Sequence, residues 1–93
     1  MTIGVLHLEL QIPGARSLKD KRRALKSLKD RLRNRYNCSL AEVGMKEKWG
    51  RASLAVCVVS DESAHVSSQL NEIVRFASSK PTVELIHYEI EML

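Results

Sequence analysis

Aromatic side chains are nearly missing from this chain: Tyr36, Trp49, Phe76 and Tyr88 are the only four in 93 residues. A sheet that reads RNA by stacking bases needs several of them side by side, which excludes recognition of the RNA-recognition-motif type. Glycine is as sparse. Gly4, Gly14, Gly44 and Gly50 stand apart and leave neither a phosphate-cradling loop nor a nucleophile elbow. The two cysteines, Cys38 and Cys57, form no C-x-x-C pair and have no histidine at ligand spacing. No zinc site is expected, and both are read as free thiols in a reducing compartment. Long apolar runs are absent too, since a stretch such as Leu54 to Val59 is far short of the roughly 18 residues that cross a bilayer. The opening MTIGVLHLELQ carries no basic leader and no small-residue cleavage site. A cytoplasmic protein without membrane contact is the expectation.

What is present is a single small domain. A chain of this length buries only about 60 to 65% of its unfolded surface and has no material for a second core, so residues 1–93 form one unit. Its charge is unevenly spread. Residues 16 to 35, RSLKDKRRALKSLKDRLRNR, hold ten of the 15 Lys and Arg but only two acids, Asp20 and Asp30. That is +8 locally against +4 overall, so the rest of the chain sums to −4. A concentrated positive field attracts polyanions whatever the net charge.

Periodicity supplies the elements. Leu6, Leu8, Leu10 and Ile12 alternate with Val5, His7, Glu9 and Gln11, the period-two mark of a half-buried strand, ended by Pro13 and Gly14. Ser17 with Asp20 makes a capping-box-like start to a helix running to about Tyr36, with Leu18, Leu25, Leu28, Leu32 and Tyr36 as its apolar stripe. A short strand follows, with Ala41, Val43 and Met45 alternating against Leu40 and Glu42, then a polar turn around Lys46 to Gly50. Arg51 to Ser60 is a strand that turns Leu54, Val56 and Val58 to the core. A second helix, capped near Ser60 to Glu62, buries Val66, Leu70, Ile73 and Ala77. Val83 to Met92 closes the chain as a strand with Ile86, Tyr88, Ile90 and Met92 inward. The order βαββαβ packs most simply as a ferredoxin-like α+β domain, a four-stranded antiparallel sheet with two helices on one face. Its other face is left open and carries Val5, His7, Leu40, Ala55, Cys57, Val59, Leu85 and His87.

Three places are candidate sites. On the first helix Lys19, Arg22, Lys26, Lys29 and Arg33, extended by Arg23, repeat at intervals of three and four. At roughly 1.5 Å per residue the stripe is about 20 Å long, enough to follow several phosphates. The helix start, with Arg16 and Ser17, is a smaller candidate for a single anion. The open sheet face is a candidate interface through Val5, His7, Cys57, Val59 and Leu85, because its apolar area would otherwise lie in water. The pairing of His7 and His87 with Glu9 and Glu89 is read as surface rather than catalytic or metal-binding. Trp49 is expected to fold back over a core edge.

The stretch SLKDKRRALKSLKDRLRNRYNCSLAEVG, the W-G-R-A turn and the VVSDESAHV segment closely resemble the YlxP-like family of small bacterial proteins. The resemblance covers nearly the whole chain and implies a ferredoxin-like fold. It implies no catalytic residues. The family's genes often neighbour those for translation initiation and ribosome maturation, which implies RNA or the ribosome as partner by association. The expected function is a non-enzymatic, cofactor-free RNA-binding or ribosome-associated module. The alternative is a protein-interaction module that dimerises, or binds a partner, through its open sheet face.

Overall fold

The structure, a computed structural model, describes all 93 residues. The elements are β1 (Thr2–Gln11), α1 (Leu18–Arg35), β2 (Ser39–Gly44), β3 (Arg51–Ser60), α2 (Ser63–Ser78) and β4 (Glu84–Met92). All strand pairs are antiparallel and the sheet order is β2-β3-β1-β4, so the fold is ferredoxin-like. One core joins the sheet to both helices on a single face. Leu6, Leu8 and Leu10 of β1 and Leu54, Val56 and Val58 of β3 meet Leu25, Leu28 and Leu32 of α1 and Val66, Leu70 and Ile73 of α2. Gly4 sets how closely α2 approaches β1: a Cβ there would stand 2.5 Å from Val66 Cγ1 and 2.7 Å from Leu70 Cδ1.

Four expectations are corrected. In β2 the faces are reversed, because Leu40 lies opposite Val56 and Glu42 opposite Leu54, on the helix side. Leu40 is therefore buried and leaves the open face, while Ala41 and Val43 are exposed. In β4 a bulge at Ile86 sets Glu9 opposite His87 but Leu10 opposite Leu85. One extra residue inverts the alternation, so Leu85 turns to the core and is withdrawn from the interface set. Ile86, Tyr88 and Met92, expected inward, stay 46%, 44% and 44% exposed. β4 is an edge strand, and its helix-side residues have cover from one direction only. Trp49, finally, is 50% exposed and covers no core edge.

Candidate nucleic-acid interface

Helix α1 begins with a variant of the capping box, in which Asp20 reaches back one residue beyond the Ser17 cap. Ser17 Oγ accepts the Asp20 N–H at 3.1 Å and Asp20 Oδ2 accepts the Arg16 N–H at 3.1 Å. The negative group at this helix start is the chain's own carboxylate, which stands where an anion held by Arg16 and Ser17 would compete with it.

Leu25, Leu28 and Leu32 root α1 in the core and leave its other side in solvent. The expected stripe divides into two flanks. Arg22, Lys26, Lys29 and Arg33 border a shallow depression beside β2. Arg23 instead faces a cleft of about 500 Å³ between Ile12–Ala15 and the Pro81–Thr82 turn. Asp30 sits among the first group: Lys26 Nζ donates to its Oδ2 at 2.6 Å, and Arg33 Nη1 lies 4.0 Å from Oδ1. The Lys26 hydrogen bond holds the Asp30 carboxyl below its usual range; desolvation opposes it, and the attraction of the Lys26, Arg33 and Lys29 charges adds to the lowering. Lys19, Arg22 and Lys29 make no salt bridge; Lys19 and Arg22 are exposed and Lys29 is half-buried.

Lys21 lies apart from these. It is 1% exposed, with Nζ 2.8 Å from Glu42 Oε2 and donating to the carbonyls of Met45 at 2.6 Å and Lys48 at 2.7 Å. Two of the three ammonium N–H groups are thus used on carbonyls, and the Glu42 carboxylate neutralises the charge without accepting a hydrogen bond. These contacts clamp the β2–β3 turn to the helix, and the Ile12 N–H holds the same turn from the far side through the Gly50 carbonyl at 2.9 Å. Met45 takes a left-handed backbone there, with φ 58°. Clamped in this way, the turn presents the half-exposed Trp49 beside the exposed Lys46 and Lys48. Sequence reasoning missed the arrangement, although it left a signal: Lys21 falls between Leu18 and Leu25 at the spacing of the apolar stripe.

Of the other aromatics, Tyr36 and Phe76 are committed to packing, whereas Tyr88 is 44% exposed on β4. Phe76 meets Tyr36 edge-on with centroids 6.4 Å apart, and Arg35 and Lys80 lie over its ring at 4.7 and 4.1 Å.

The open sheet face has two characters. Toward β4 it is acidic: His7 is opposite Glu89 and Glu9 opposite His87, with His87 Nε2 3.2 Å from Glu89 Oε1 and His7 Nε2 4.0 Å from Glu91 Oε1. Glu9 also accepts from Ser53 Oγ at 2.7 and 2.9 Å. Toward β2 it is apolar, with Val5, Ala55, Cys57 and Val59 half-buried or exposed. No helix is long and apolar enough to cross a membrane.

Residues 3–90 match the family model described as "Protein of unknown function (DUF503)". The uncharacterised protein YlxP of Bacillus subtilis (strain 168) is 34% identical over 82 residues, covering 88% of this chain and 89% of that protein. The resemblance carried by the basic helix motif is borne out.

Proposed function

The chain belongs to the DUF503 family, and we propose that it is a non-enzymatic RNA-binding or ribosome-associated module, working in the cytoplasm, that takes phosphates on the exposed bases of α1. The observation that carries this reading is the separation of charge across the domain. Bases crowd the solvent side of α1, whereas the opposite sheet face bears Glu9, Glu89 and Glu91 and would repel a polyanion. Phosphates would lie along Lys19, Arg22, Lys26, Lys29 and Arg33, with Arg23 on the other flank. Trp49 adds one stacking surface next to Lys48, which suits shape and charge recognition better than sequence reading.

The test is fluorescence anisotropy with a labelled RNA hairpin. Five phosphate contacts on the duplex stem predict an affinity loss of about 500-fold between ~50 and ~200 mM salt. Replacing Arg22, Lys26 and Lys29 together by Glu reverses the field without touching the apolar face, and should abolish binding. A folded triple variant that binds as well as the parent would leave α1 as an ordinary solvated helix. The apolar half of the open face, Val5, Ala55, Cys57 and Val59, favours a second reading, a protein-interaction module that docks a partner there.

A further inference from the structure

The two edges of the sheet are built differently. β2 has 6 residues, is bulged at Val43, and has its Leu40 carbonyl bound by Arg33 Nη2 at 3.3 Å. Shortness, a bulge and a charged side chain are the usual means of blunting an edge. β4 has 9 residues with no Lys, Arg or Pro, and its pairing with β1 runs unbroken from His87 to Met92. Its outer row of backbone groups faces no other strand. Tyr88 and Met92, each 44% exposed, leave apolar surface along the same edge.

We propose that β4 pairs antiparallel with β4 of a second copy of this chain, about a two-fold axis through Tyr88, joining two sheets into one. Charge selects that register. A two-fold axis normal to the sheet keeps each face with itself, so paired residues share a parity and one residue must lie opposite its own copy. An axis at Glu89 or Glu91 sets a carboxylate against itself. An axis at Ile90 sets Glu89 against Glu91 twice, and one at His87 sets two imidazoles together. The axis at Tyr88 places His87 opposite Glu89 of the other copy on both sides of the centre. Ile-His-Tyr-Glu-Ile, residues 86–90, thus sets an imidazole donor opposite a carboxylate on each side of its centre, and the bulge at Ile86 marks where regular pairing stops. The pairing is independent of the RNA reading, because α1 contacts the β2 half of the sheet through Lys21–Glu42 and Arg33–Leu40.

Sedimentation equilibrium without RNA, from ~10 µM to ~1 mM protein, tests this. The parent should approach twice its 10.5 kDa mass. His87→Glu sets carboxylates opposite each other at both flanks and should weaken the dimer by about tenfold or more. His87→Glu with Glu89→His, made together with His7→Glu and Glu9→His so that the pairs to β1 also keep an imidazole opposite a carboxylate, should restore the dimer, which separates lost pairing between copies from lost pairing within one. Val5→Lys, on the open face, should leave it intact. A parent monomeric throughout, a dimer indifferent to His87→Glu, or a quadruple variant with native circular dichroism that fails to recover would overturn the pairing. A dimer dissolved by Val5→Lys alone would move the interface to the open face.

Discussion

Lys21→Met removes the charge that clamps the β2–β3 turn while keeping most of the side-chain volume. The ammonium is buried, donates to Met45 O and Lys48 O at 2.6 and 2.7 Å, and lies 2.8 Å from Glu42 Oε2 as an ion pair without a hydrogen bond. Breaking a fully buried pair costs about 3 to 5 kcal/mol, because the remaining charge stays unpaired in a poor solvent. The Glu42 side chain retains 18% exposure and can recover some hydration, and the two turn carbonyls can rotate toward water. Adding their lost charged donor, worth about 1.5 to 3 kcal/mol per bond but not additive, places the expected loss near ~3 kcal/mol. For a domain of this size total stability is roughly 5 to 14 kcal/mol, so the melting temperature should fall by about 12 to 24 °C. Urea unfolding followed by circular dichroism and Trp49 fluorescence measures the loss. Adding Glu42→Leu removes the orphaned carboxylate and should recover a large part of it. Because Nζ does not face solvent, RNA binding by the folded variant should keep the parent's salt dependence. A cost under ~1 kcal/mol would refute the reasoning and leave the turn held by its backbone alone.

Leu28→Ala, at a position 2% exposed at the α1–sheet contact, should cost about 2 to 5 kcal/mol in the same unfolding experiment. Gly4→Ala pushes a methyl group into Val66 and Leu70 and should destabilise by about 1 to 3 kcal/mol through overpacking, despite the better intrinsic strand preference of alanine. Burial pushes the Cys38 thiol above its ordinary value, only partly offset by Arg33. Its thiolate therefore forms at higher pH in the folded chain than in the unfolded one, and iodoacetamide modification, followed by mass spectrometry across pH 7 to 10, should show that displacement. Asp30→Asn frees Lys26 and Arg33 from the one acid in their stripe, so RNA affinity should rise and its salt dependence steepen, as read by anisotropy.

Most of the architecture was legible because its signals are local and repeated. Leu6, Leu8 and Leu10 alternate over a full strand, and Leu25, Leu28 and Leu32 mark one helical face, so each element announces both its type and its buried side. β2 offered too few residues for that. Over six positions the apolar Ala41 and Val43 outvoted Leu40 and Glu42, and a carboxylate on the core side looked wrong until Lys21 lay against it. The bulge at Ile86 was equally hidden, since an alternation such as Leu85, His87, Glu89 contains no mark of where one residue is looped out.

The basic helix was a property of the sequence itself: ten cations within twenty residues, placed on a surface by the leucines that bury the opposite side. Which of those cations face solvent was decided by tertiary structure. Lys21 is chemically the same as Lys19 or Lys29, yet β2 brings Glu42 and two carbonyls to it and turns a surface charge into a clamp. The exposure of Trp49 on the clamped turn and the unpaired edge of β4 arise in the same way, because both depend on what the fold sets beside them. Periodicity along a chain determines which face of an element is apolar, whereas the partner of a charge and the free edge of a sheet follow from long-range pairing that periodicity does not encode.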